Sequence, residues 1–191
     1  MTARILPSGN DNDGTIQAAC AVLAEGWPVA VPTETVYGLA ADATNPAAIT
    51  RIYETKGRPR FNPLICHMAD LAMAERHAVF DPISRHLAER FWPGPLTLVL
   101  PLRPGSAIHP LATAGLDTVG IRVPEGFAAA LIRAFDRPLA APSADRSRGA
   151  DRGGWRSTAD QGLLLARWIA GELAAQWVEK FAWWPWLVGA A

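Results

Sequence analysis

Residues 28–68 read PVAVPTETVYGLAADATNPAAITRIYETKGRPRFNPLICHM and contain a predicted strand, a helix and a second strand, in that order. The first strand covers residues 28–31, and the apolar run at residues 64–68 predicts a second, buried strand. Between them, Asn45 is suited to cap a helix and Pro46 to occupy its first position, and the helix ends near Lys56 and Gly57. This order favours an α/β sheet.

The same signals continue along the chain. A helix is predicted at residues 15–25, where Gly26 stops it, and Asp70 and Asp81 are placed to cap two more helices. Strands are predicted at residues 96–102, 118–123 and 138–141, and a helix at residues 126–135. Helices interleaved with single strands predict one α/β domain, residues 1–144, with short crossovers between strands.

Composition restricts the class of protein. Lys plus Arg and Asp plus Glu both number 18, so the net charge is zero and any anion site must be local. Cys20 and Cys66 are isolated in sequence, which argues against a disulfide framework or a zinc site. The chain shows no secretory signal and no apolar run of membrane-spanning length, so we expect a cytoplasmic protein without a membrane span.

The PTETVYG segment, residues 32–38, follows the first predicted strand directly. Open α/β sheets bind their ligands at the carboxyl ends of strands, which makes Thr33 and Thr35 candidate ligand contacts. The alternative is that both hydroxyls only satisfy hydrogen bonds within the turn.

The KGRPRFNPL segment, residues 56–64, is rich in cations. Lys56 and Arg58 flank Gly57 at a predicted helix end, so both side chains could reach one anion while the glycine lets the backbone approach it. Alternatively, the two cations only complement the negative end of the helix dipole.

Later strands add further candidates. Thr118 and Arg122 are four residues apart in one strand and therefore share a face. Arg122 needs an anionic partner, either a ligand or a structural Asp or Glu. His67 ends a buried strand and is by itself more typical of a core residue. The run LAAPSA, residues 139–144, offers small residues around Ala141 and Ser143 that would permit close approach of a ligand.

Five segments together resemble the YrdC-like family of threonylcarbamoyl-AMP synthases: PTETVYGL, KGRP with NPL, WPGPLT, GLDTVGIRVP and APSA. The resemblance covers about residues 10–144. It implies a twisted, open mixed sheet flanked by helices, with a concave ligand cavity. It also implies an enzyme that joins L-threonine, bicarbonate and ATP into threonylcarbamoyl-AMP and pyrophosphate, for threonylcarbamoyladenosine modification of tRNA.

The resemblance further implies roles for individual residues. Those expected to hold threonine are Thr35, His67, Arg122 and Ser143. Those expected to hold ATP are Lys56, Arg58, Asn62, Thr118 and the backbone near Ala141. Lys56 and Arg58 would be catalytic, stabilising charge as pyrophosphate leaves. Mg²⁺ is expected on the ATP phosphates and not on a protein metal site. The tRNA threonylcarbamoyl-transfer machinery would be a partner.

Residues 145–191 depart from that family. Its members usually follow APSA with Asn and later carry an S-T-I stretch and an L-R-P-G turn, whereas this chain has Asp145 and an Arg- and Trp-rich segment. We predict a separate, atypical segment at residues 145–191, and one hypothesis is a reading-frame change near residue 145. Two alternatives to the synthase remain: a non-catalytic module of the same fold with weak RNA binding, and a paralogue acting on another carbamoyl or acyl adenylate.

Overall fold

The computed structural model describes residues 12–144 of the chain. Five helices and six strands occur within that range. The helices are α1 (Asn12–Ala24), α2 (Pro46–Lys56), α3 (Leu71–His77), α4 (Pro82–Phe91) and α5 (Gly126–Phe135). The strands are β1 (Val29–Val31), β2 (Gly38–Asp42), β3 (Ile65–His67), β4 (Leu98–Pro101), β5 (Thr118–Arg122) and β6 (Leu139–Ala140).

The strands form one open mixed sheet in the order β1-β2-β6-β3-β5-β4. Among the described strands only β3 and β5 pair in parallel, with Cys66 opposite Ile121. The other four pairings are antiparallel. The fold class predicted from the sequence is confirmed. β2 and β3 both pair antiparallel with β6 and so run parallel to each other, and α2 is a short crossover between them, as predicted. The connection from β3 to its parallel neighbour β5 is longer and runs through α3, α4 and β4.

Capping residues explain why the helix predictions succeed. The Asn45 side chain accepts hydrogen bonds from the backbone N–H groups of Ala47 and Ala48, and Pro46 opens α2. Asp70 caps α3, and Asp81 forms a capping box with Ser84 at the start of α4. These side chains satisfy backbone donors that the first turn of a helix leaves unpaired.

The two faces of the central strands differ in burial. Val119 and Ile121 on one face of β5 are buried together with Cys66 of β3, whereas Thr118 and Arg122 on the other face are partly exposed. Because side chains alternate along a strand, the apolar residues form the core and leave the second face for polar groups.

Some predictions lie outside the described residues. These are the atypical segment at residues 145–191 and its first residue, Asp145. Within the described residues, no helix is long and apolar enough to cross a membrane.

Candidate functional site

A row of paired residues crosses the partly exposed face of the sheet. Leu139 of β6 lies opposite His67 of β3, and His67 lies opposite Arg122 of β5. Thr97, immediately before β4, contacts Arg122 at the end of this row. Side chains that are opposite each other on neighbouring strands point to the same face, so the imidazole and the guanidinium are neighbours there.

The Arg122 guanidinium is held on three sides. Its Nε and Nη2 atoms donate to the Thr97 hydroxyl at 3.0 and 2.9 Å, and Nη1 donates to the Thr35 hydroxyl at 3.2 Å. Nη1 also lies 3.5 Å from the Glu34 carboxylate, and the two side chains are only 16% and 13% exposed. Glu34 is therefore the acidic partner that a largely buried arginine requires. Burial lowers the pKa of Arg122, and the Glu34 charge acts in the opposite direction.

The sequence left open whether the threonines of the loop between β1 and β2 bond only within the turn or contact groups beyond it. Both kinds of contact occur. Thr33 makes local bonds, because its hydroxyl accepts from the backbone N–H groups of Thr35 and Val36 and donates to the Val36 carbonyl at 2.6 Å. Thr35 reaches further, to Arg122. The turn interpretation thus fits Thr33, while Thr35 joins the loop to the sheet.

His67 is buried, and among residues 12–144 its Nδ1 atom has no hydrogen-bond partner. Burial lowers the pKa of His67 to about 3, and the Arg122 cation adds to the effect, so the ring is neutral at ordinary pH. The imidazole lines a pocket of about 10 Å³, roughly the space that one water molecule needs. The other lining residues are Val31, Thr33, Ala40, Ala128, Leu131, Ile132, Leu139 and Ala141. Besides His67, Thr33 is the polar residue among these mainly apolar walls.

Lys56 and Ser143 meet at the end of α2. Lys56 is 2% exposed, and its Nζ donates to the Ser143 carbonyl at 2.6 Å. Ser143 also forms a β-bridge with Gly38, and the Ala144 N–H donates to the Tyr37 carbonyl. The lysine therefore lies beside the same loop that holds Thr35. The left-handed backbone of Gly57, with φ of 60°, turns the chain directly after it.

Arg58 and Asn62 lie together in the following loop. Arg58 donates to the backbone carbonyls of Asn62, at 3.4 Å, and Pro63, at 3.1 Å. Burial lowers the pKa of Arg58. The dipole interpretation of Lys56 and Arg58 is incomplete, since both side chains reach carbonyls beyond their own helix.

Thr118 and Ala141 are the remaining predicted residues. Thr118 shares a face with Arg122 but lies at the other end of β5, about 13 Å away by strand rise. Pro63 precedes β3 on the Thr118 side, so Arg58, which donates to the Pro63 carbonyl, lies towards the Thr118 end of the sheet. Ala141 lines the His67 pocket, and its backbone N–H donates a hydrogen bond to the Ile65 carbonyl.

Sequence reasoning missed two residues of the site. Thr97 lies in WPGPLTLVL, a segment that only marked the family resemblance, and no role was predicted for Glu34. A hydroxyl opening a strand next to an arginine-bearing strand was the signal for Thr97. A lone carboxylate between two threonines was the signal for Glu34. In the part of the chain that the structure describes, no three His, Cys, Asp or Glu side chains are grouped to hold a metal ion.

Comparison with known proteins relates this chain to a family. The Sua5/YciO/YrdC family model, described as "Telomere recombination", matches residues 21–151. The threonylcarbamoyl-AMP synthase of Bacillus subtilis is 52% identical over 138 residues, which cover 71% of this chain and 40% of that protein. The Pyrococcus abyssi threonylcarbamoyl-AMP synthase is 49% identical over 134 residues.

Solved structures agree with the sequence comparison. The structure of P. abyssi Sua5 complexed with L-threonine has a TM-score of 0.65 and 49% identity, covering 69% of this chain and 38% of that one. Escherichia coli YciO, at 24% identity and a TM-score of 0.63, shares the fold. The chain spans about two fifths of the length of the two relatives named above. With more than half of its residues matched by the family model, the chain belongs to the Sua5/YciO/YrdC family.

Proposed function

We propose that this protein is a threonylcarbamoyl-AMP synthase, which joins L-threonine, bicarbonate and ATP into threonylcarbamoyl-AMP and pyrophosphate. The observation that carries the proposal is the pairing of Arg122, held by Thr35 and Thr97, with a neutral His67 that has an unused buried nitrogen. The Bacillus subtilis relative named threonylcarbamoyl-AMP synthase is 52% identical over 138 residues, and the P. abyssi relative was solved with L-threonine.

The amino-acid end of the site is assigned to Thr35, His67, Arg122 and Ser143. A guanidinium suits the threonine carboxylate, because its planar fork matches two carboxylate oxygens. The neutral imidazole offers one donor and one acceptor, which suits a hydroxyl group that both donates and accepts.

The nucleotide end is assigned to Lys56, Arg58, Asn62, Thr118 and the backbone near Ala141. Two cations near one helix end would stabilise the charge that develops when the threonine carbamate attacks the α-phosphorus and pyrophosphate leaves. Mg²⁺ would arrive on the ATP phosphates, since it binds mainly phosphate and water oxygens in such sites. The product would then pass to the tRNA threonylcarbamoyl-transfer machinery.

The test is pyrophosphate release by the purified full chain. We expect release from ATP only when both L-threonine and bicarbonate are present, and background release when either is omitted. Release that depends on ATP alone would indicate an ATPase. Tight RNA binding without any release would favour the non-catalytic module, and turnover with a different acyl acceptor would favour the paralogue.

A further inference from the structure

The Glu34 carboxylate occupies an unusual position for a loop side chain. Its Oε1 lies 3.5 Å from Nη1 of Arg122, and its Oε2 accepts from the Glu125 N–H at 3.3 Å. The side chain is only 13% exposed. Both contacts are at the long end of the range for hydrogen bonds, so the carboxylate is fixed in place with much of its acceptor capacity unused.

The hydrogen-bonding capacity of Arg122 is likewise only partly used. A guanidinium has five N–H groups, and the contacts to Thr97, Thr35 and Glu34 use four of them. Within residues 12–144 the remaining Nη2 N–H has no partner. An anion and a cation, both incompletely bonded, therefore lie side by side next to His67 and Thr35.

That arrangement matches the charges of a free amino acid. An amino acid carries its carboxylate and its ammonium group on the same carbon, so a site that binds both needs a cation and an anion a few ångströms apart. Arg122 supplies the first. We propose that Glu34 supplies the second, binding the ammonium group of the amino-acid substrate while Arg122 binds its carboxylate. This inference rests on the proposed function and adds a residue to the threonine site.

A structural role is the alternative for Glu34. Its carboxylate lies at the N-terminus of α5, whose cap residue Glu125 makes no side-chain capping bond, and a negative charge is favourable there. If Glu34 only stabilised the N-terminus of α5, removing its charge would weaken the binding of every ligand of the site equally. If Glu34 binds the ammonium group, the loss depends on whether the ligand has one.

Three ligands separate these roles when their binding to the full chain and to Glu34→Gln is measured by calorimetry. L-Threonine carries both charges, L-threoninol lacks the carboxylate, and the α-hydroxy acid analogue of threonine lacks the ammonium group. Loss of a charge-assisted hydrogen bond should weaken L-threonine and L-threoninol by about tenfold to a hundredfold. The affinity of the hydroxy acid should stay the same or increase, because Glu34 repels its carboxylate.

The control is Glu54→Gln, which removes the same charge from an exposed position on α2. It should leave all three affinities at the wild-type value. Equal weakening of the three ligands by Glu34→Gln, no weakening, or tighter binding of L-threonine would each overturn the inference. If the wild-type chain itself does not bind L-threonine, the proposed function fails together with it. If the wild-type chain binds L-threonine and Glu34→Gln binds it with the same affinity, only the role of Glu34 is overturned.

Discussion

Arg58 is the single residue that best tests the proposed nucleotide end of the site. It is a partly buried cation in a short loop, whereas Lys56 is 2% exposed and also holds the Ser143 carbonyl. Lys56→Ala would therefore combine lost packing with a lost charge, and Arg58→Ala is the cleaner variant.

We expect Arg58→Ala to lower the rate of pyrophosphate release by at least about a hundredfold, as removal of one charge-stabilising donor typically does. Thermal unfolding should show that the fold is retained. Arg60→Ala, an exposed cation of the same loop, is the matched control and should keep the wild-type rate. A normal rate in Arg58→Ala would contradict the assignment.

His67 connects the site to the pH dependence of stability. Its pKa is about 3 in the folded chain and near 6.5 when unfolded, so between these values the unfolded state binds more protons. The free energy of unfolding should therefore fall as pH decreases from about 6.5 towards 3, by up to about 1.4 kcal/mol per pH unit from this group.

Replacing His67 by Gln should remove that contribution, and urea unfolding at several pH values measures it. His86→Gln, in which an exposed histidine is changed, should retain the wild-type slope. An identical acid slope in wild type and His67→Gln would show that the imidazole is protonated in the folded state.

At the scale of elements, capping explains the success of the α2 prediction. α2 begins and ends as the sequence predicts, since Asn45, Pro46 and Gly57 mark its ends by their own chemistry. α5 also has its predicted bounds, although its cap residue Glu125 makes no side-chain capping bond. β2 was not predicted, because Gly38–Asp42 contains no β-branched or aromatic residue and forms a strand only through pairing with β1 and β6.

The strand order could not be read from local patterns for the same reason. The partner of β2 in β6 is almost a hundred residues away, and no short motif specifies such a pairing. Motifs were enough to predict Thr35, Arg122 and Lys56 as site residues. Their immediate partners, Thr97 and Glu34, come from segments that become neighbours only in the folded sheet.

The α2 cap gives a test at this scale. Asn45→Ala removes the acceptor for two backbone N–H groups and should lower the free energy of unfolding by about 1 kcal/mol. Asn45→Asp keeps a capping oxygen and should stay close to wild type in the same urea titration. Equal stability of all three proteins would mean that tertiary packing alone fixes the start of α2.

For the molecule as a whole, the local distribution of charge explains how a chain of zero net charge could bind an anion. Lys56 and Arg58 concentrate positive charge at one helix end, and Arg122 is balanced locally by Glu34. Arg122, assigned to the amino acid, and Thr118, assigned to the nucleotide, lie about 13 Å apart along β5, while Ser143 contacts Lys56 and Ala141 lies beside His67. The two sets of assigned residues therefore touch each other, which would suit a reaction that joins an amino acid to an adenylate.

The measurement that tests this account most directly is mass spectrometry of the product made by the full chain from ATP, L-threonine and ¹³C-labelled bicarbonate. We predict an adenylate that contains threonine and one labelled carbon, formed together with pyrophosphate. Formation of unlabelled threonyl-adenylate, or of no adenylate by a folded chain that binds ATP, would contradict it.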